Sequence, residues 1–166
     1  MILSNPESFG RQSGGLSGKG RRGAGQKATP RGAGPNLIKP NTDEIGQLFG
    51  TKIESVQELT AAAKILHAQR GRHSVSLGKD GALFACEEGV FRGITPAVPV
   101  VNTVDCGDSM LAGFAAAMRR KAPAEAAVRL AMAVSTANAL TVETGSFRQE
   151  GFERLLGQVQ LGRLNA

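Results

Sequence analysis

The amino-acid sequence predicts an α/β fold, a parallel sheet with helices packed on it. Three observations predict it. From Leu37 onward, short apolar runs of strand character alternate with longer amphipathic or Ala-rich segments. The helical segments carry their own start signals, such as Ser55 with Glu58 three residues later, and Pro123 ahead of an Ala-rich run. The 166 residues are enough for one domain with a core of its own.

The elements follow in order. "NLIKP" reads as a short buried strand ending at Pro40, and "NTDEIGQLFG" as a turn and a short helix. Ser55 and Glu58 form a capping box for a helix reaching about Arg70. Val56, Leu59, Ala63 and Leu66 line one face of that helix, and Gly71 closes it. "HSVSLG" is a strand, and "ALFAC" and "GVFRGI" form a hairpin around Glu87-Glu88-Gly89. "AVPVVNTV" is extended. A helix then runs from about Gly107 to Arg120, and a second, opened by Pro123 at its first position, to about Leu140. A last helix covers roughly residues 150–159.

Composition sets the amino-terminal segment apart. Residues 1–36 hold nine of the 22 glycines, six basic residues and one acid, a charge of +5 out of the total +6. The remaining 14 basic and 13 acidic residues leave the body at +1. The basicity therefore belongs to a tail, and nucleic acid is not an expected partner, because the tail lacks interleaved aromatics for stacking. Residues 1–35 have too few apolar side chains to pack and are expected to be a disordered Gly/Arg-rich tail, of the texture an out-of-register translation would give. Residues 36–166 are the expected domain. No run approaches the ~18 apolar residues of a membrane span, and the amino terminus lacks the pattern of a secretory signal. Two cysteines, Cys86 and Cys106, are too few for a disulfide framework, so a cytoplasmic location is expected.

Three segments carry candidate chemistry, each with a plain alternative. In "VNTVDCGDSMLAGF" an extended run meets a helix N-terminus, where open N–H groups and the dipole suit an anion. Gly107 would admit a phosphate, and Asp108 beside it could take a proton from an attacking hydroxyl. Asp105 or Asp108 could equally be a helix cap. "KPNTDE" sets Lys39, Asn41 and Glu44 just after a strand, suited to phosphate and magnesium, or simply to a Pro-Asn turn before a helix. "SLGKDG" could cradle a nucleotide or turn a hairpin at Lys79-Asp80-Gly81. "GLSGKG" fails as a P-loop, with Ser13 and Gly20 at two defining positions. His67 and His73 make no metal site, and Cys106 has no histidine partner for a nucleophile's role.

In order and spacing, residues 36–166 resemble the carboxyl-terminal half of the ribokinase-like sugar kinases, the phosphofructokinase-B group. "LIKPNTDEI" resembles the family's Lys-Pro-Asn-x-x-Glu segment, and "VSLGKDGALF" its nucleotide strand and loop. "VNTVDCGDSMLAGF" is similar to its Thr-Val-Gly-Ala-Gly-Asp-Ser-Met signature, and "AVSTANALTVETG" to the helix and turn beside the adenine. The resemblance implies the nucleotide-binding half of a three-layer fold. It implies ATP and Mg2+ as cofactors, with no direct protein ligand to the metal. Asp108 would be the general base, with the backbone at Asp105, Cys106 and Gly107 as the anion hole. Lys39, Ser76, Gly78, Gly81 and Asn138 would bind the nucleotide, and Asn41 and Glu44 would tune magnesium and phosphate. Ser109-Met110 is typical of members acting on phosphorylated hexoses, of the 1-phosphofructokinase and tagatose-6-phosphate kinase kind.

The implied function is transfer of a phosphoryl group from ATP to a hexose phosphate, in a truncated and impaired copy. The alternative is a non-catalytic nucleotide-binding or oligomerising remnant, since an open sheet edge favours homo-oligomers. Asp105 departs from the signature, because it replaces a glycine of the anion hole and brings a negative charge.

Overall fold

The computed structural model describes residues 37–70, 73–78 and 81–164, with the side chains of residues 69–80 outside that description. The expectations for the tail and for Gly71 lie outside the described residues. The chain divides into two units, Met1–Gly34 and Pro35–Ala166, and the second holds everything that follows.

The second unit runs β1 (Leu37–Ile38), α1 (Thr42–Phe49), α2 (Val56–Arg70), β2 (His73–Gly78), β3 (Gly81–Cys86), β4 (Gly89–Ile94), α3 (Cys106–Arg119), α4 (Ala124–Ala139), α5 (Gln149–Gln158) and β5 (Gln160–Leu164). The five strands form one sheet in sequence order. Among the described strands only β1 and β2 are parallel, joined by the α1–α2 crossover. β2–β3, β3–β4 and β4–β5 are antiparallel. This corrects the expected parallel sheet, and connection length is the reason. Two residues separate β2 from β3, and two separate β3 from β4. A parallel return needs a dozen or more.

Strand β3 shows why helices cover both faces. Its successive side chains alternate in direction. Ala82, Phe84 and Cys86 enter a cluster with α3, α4 and α5. Leu83 and Ala85 enter a second cluster with Ile45 of α1 and Leu59, Ala63 and Leu66 of α2. The result is three layers, helix on sheet on helix. Phe84 stacks on Phe114 of α3 with ring centroids 4.7 Å apart, a contact that fixes α3 to the sheet and contributes about 1 kcal/mol beyond burial.

Local signals act partly as expected. At α2, Ser55 Oγ accepts from Glu58 N, but the Glu58 carboxylate turns back to Glu54 N and not to Ser55 N. Pro123 stands at the N-cap of α4. The Ala124 N–H is taken by Glu88 Oε1, from the β3–β4 turn. β5 was not foreseen, because its exposed Gln160, Gly162 and Arg163 hide the strand pattern. Arg163 lies over the Phe91 ring, 5.9 Å from its centroid, and bonds the Glu88 carbonyl. No helix among the described residues is long and apolar enough to cross a membrane.

Helices α3 and α4 meet through small residues. A Cβ added to Gly113 would lie 2.6 Å from Ala131 Cα, which is backbone and cannot step aside. Gly113→Ala should therefore cost about 1–3 kcal/mol in urea denaturation, the scale of an overpacked core. Gly151→Ala in α5, where nothing lies within 4 Å, should be neutral or gain up to ~1 kcal/mol. Equal effects at the two sites would mean that helix propensity, not the α3–α4 approach, decides the outcome.

Candidate functional site

The site forms where the segment 97–105 gives way to α3. Asp105 is the N-cap residue, yet its side chain makes no capping hydrogen bond. Its backbone is left-handed, with φ 59° and ψ 8°. That conformation suits glycine, and an aspartate adopts it at a cost of about 1–2 kcal/mol. Cys106 N donates to Thr103 O and Ser109 N to Asp105 O. The Gly107 and Asp108 N–H groups find no acceptor among the described residues, as the geometry of a first helical turn dictates. They sit at the positive end of the α3 dipole. The cap expectation for Asp105 or Asp108 is therefore not met, and the donors stay open.

Lys39 completes this arrangement from β1. A Cβ on Gly107 would lie 2.7 Å from Lys39 Nζ and 3.3 Å from its Cε. Glycine thus lets the ammonium reach the helix start. Lys39 is half-buried and makes no ion pair among the described residues. Asp105 and Asp108 are exposed, and their carboxylates make no hydrogen bond there either. Lys39, Gly107 and Asp108 are brought together as a cation, open amides and a carboxylate.

The loop before α3 is held by the far end of α4. Val101 N and Asn102 N donate to Ala139 O, and Asn102 Nδ2 donates to Val142 O. Ser135 Oγ donates to Cys106 O at 2.8 Å. Asn138 is 1 % exposed; its Nδ2 donates to Val104 O and faces Cys106 Sγ, and its Oδ1 accepts from Gly145 N at 2.7 Å. The Asn138 amide, expected beside the nucleotide, makes these hydrogen bonds inside the protein. Ser135 and Asn102 were missed. The available signal was a polar pair three residues apart, Ser135 and Asn138, in an otherwise Ala-rich helix.

The other expected residues stand apart. Asn41 and Glu44 form a reciprocal capping box on α1, with Asn41 N to Glu44 Oε2 and Glu44 N to Asn41 Oδ1 both 2.8 Å. Both are exposed, and no described hydrogen bond links them to the start of α3. Ser76 and Gly78 lie in β2, paired with Leu83 and Gly81, with their side-chain surroundings outside the described residues. Gly81 has φ 116°, and a Cβ there would lie 2.2 Å from Gly93 O, so strand packing already requires a glycine. Cys86 is buried, and burial pushes its thiol up, away from reactivity. No group of three or more His, Cys, Asp or Glu among the described residues could hold a metal ion.

The family model for pfkB family carbohydrate kinases matches residues 24–150. The chain belongs to the pfkB family. That match begins within the Gly-rich segment, thirteen residues before β1. Over 131 residues this pfkB chain is 40% identical to 1-phosphofructokinase of Bacillus subtilis, covering 78% of the chain and 43% of that protein. Tagatose-6-phosphate kinase of Staphylococcus epidermidis is 31% identical over 129 residues, with 76% and 42% covered. The solved structure of phosphofructokinase-2 from Escherichia coli, in complex with substrates and products, matches with a TM-score of 0.68 at 25% identity, covering 74% of this chain and 40% of that one. The pfkB chain thus spans less than half the length of these relatives, and its three layers are part of their ribokinase-like fold.

The strained backbone at residue 105 has a measurable consequence. Asp105→Gly removes the left-handed penalty of about 1–2 kcal/mol and adds an unfolded-state entropy cost of about 0.5–1 kcal/mol. The net expectation in chemical denaturation is a gain of roughly 0.5 kcal/mol, up to ~1 kcal/mol. A loss of stability would show that the aspartate side chain supports the turn.

Proposed function

We propose that this chain is the nucleotide-side part of an ATP-dependent kinase for a phosphorylated hexose, of the 1-phosphofructokinase or tagatose-6-phosphate kinase kind. One observation carries the reading. Among the described residues, the start of α3 offers two N–H groups without an acceptor, and an ammonium without a counter-ion stands against its glycine. Phosphoryl transfer asks a protein mainly for positioning and charge stabilisation, which this arrangement supplies.

In this reading the Gly107 and Asp108 amides hold the transferring phosphoryl oxygens, and Lys39 balances their charge. The Asp108 carboxylate takes the proton of the attacking sugar hydroxyl. Magnesium, arriving with ATP, would supply charge neutralisation between the phosphates. Of the atoms left over by the capping box, Glu44 Oε1 would accept from its water shell and Asn41 Nδ2 would donate to a phosphate oxygen. Ser76, Gly78 and Gly81 flank the nucleotide.

A second reading, nucleotide binding without catalysis, is favoured by Asp105. Its exposed carboxylate stands next to the open amides. At ~5 Å and an effective dielectric near 20, two unit charges repel by about 3 kcal/mol before solvent screening.

Titration calorimetry with MgATP tests the proposal. Binding by the parent chain is expected, with Lys39→Met and Gly107→Ala each weakening it by about tenfold, equivalent to ~1.4 kcal/mol. Gly107→Ala should do so with little loss of stability, because the displaced atom is the end of a flexible side chain. Asp108→Asn keeps its N–H and should bind within about twofold of the parent. A coupled assay with fructose 1-phosphate and tagatose 6-phosphate should show no turnover by the chain alone. No MgATP binding at millimolar concentration would refute nucleotide binding, and turnover near ~10 per second would refute the non-catalytic reading.

A further inference from the structure

We infer that Ser135 of α4 is a positioning residue that aims the phosphate-binding Gly107 amide, with Asn138 turning the neighbouring Asp105 amide the same way, an assignment that rests on the kinase reading above. A trans peptide unit is planar, so the carbonyl of one residue and the N–H of the next point in opposite directions. Holding one fixes the other. Ser135 Oγ donates to Cys106 O at 2.8 Å, and that carbonyl shares its peptide unit with the Gly107 N–H. Asn138 Nδ2 donates to Val104 O at 3.0 Å, and that carbonyl shares its unit with the Asp105 N–H. Both carbonyls are drawn toward α4. The Asp105 and Gly107 N–H groups therefore point away from it, and neither meets an acceptor among the described residues.

The strain at Asp105 makes this restraint necessary. A left-handed non-glycine residue persists only where its surroundings over-determine it. Here one α4 hydrogen bond falls on the peptide unit that enters residue 105, Val104–Asp105, and the other on Cys106–Gly107, one unit beyond the one that leaves it. Asn138 extends the restraint to a second loop, because its Oδ1 accepts from Gly145 N. A buried amide with nearly every bond made is costly to disturb. Ser135, half-buried and held by one described hydrogen bond, is the gentler probe.

The test compares MgATP with AMP on the full chain and on Ser135→Ala and Ser135→Thr. AMP lacks the phosphates that the aimed amides would hold. Ser135→Ala is expected to weaken MgATP about five- to tenfold while AMP stays within about twofold, and Ser135→Thr, which keeps the hydroxyl, is expected to restore the difference. A role in core packing alone would shift melting temperature and move both nucleotides together, and that result overturns the assignment. So does unchanged MgATP affinity in Ser135→Ala. If the parent chain binds neither nucleotide, the kinase reading fails, and amide spectra of the ligand-free protein decide this point separately. Displacement of the Gly107 amide resonance in Ser135→Ala, reversed in Ser135→Thr, supports the aiming of that group; an unmoved resonance overturns it.

Discussion

The close approach of α3 to α4 is the contact on which the rest of the second unit depends. Gly113 against Ala131 leaves no room for a side chain, and the same α4 face receives β4 where Gly93 meets Val128 and Met132. Phe114, one residue along α3, is then driven onto Phe84 in the middle of the sheet. The helix axis is fixed by these contacts before any polar group is considered. The start of α3 inherits its position from that packing, and so does the loop leading into it, tied down by Ser135, Asn138 and Ala139. Apolar packing places the site, and hydrogen bonds orient it.

Much of this was legible in the sequence because it is local. The alternation in "ALFAC" and "GVFRGI", the Ala-rich runs and the start signals gave nearly every helix and the β3–β4 hairpin. Strand direction was less legible. "SLGKDG" suits a nucleotide loop and a hairpin equally, and only the pairing of Gly78 with Gly81 separates them. The capping boxes show the same limit. Ser-x-x-Glu and Asn-x-x-Glu look alike as patterns, yet the full reciprocal box formed at Asn41 and Glu44, where Glu58 instead reached one residue further back.

At the site, residue types were readable and their conformations were not. Asp105 looks like an N-cap in sequence and occupies the N-cap in space, but its backbone is left-handed and its side chain makes no capping hydrogen bond. Asn138, set beside the nucleotide only by resemblance, is buried between two loops, a placement no local pattern announces. Both outcomes depend on contacts distant in sequence, some thirty residues away for Ser135 and Asn138. The meeting of Lys39 with Gly107 spans a still longer separation, and no local pattern encodes it.

Lys39 follows immediately after β1, which pairs with β2 through Leu37 opposite His73 and Ile38 opposite Ser74. The ammonium is thus mounted on a strand, whereas the amides it faces are mounted on a helix clamped by the core. In the proposed phosphate site the two partners stand on different elements, so an anion that bridges them ties β1 to α3 and stabilises that junction as much as the junction stabilises the anion.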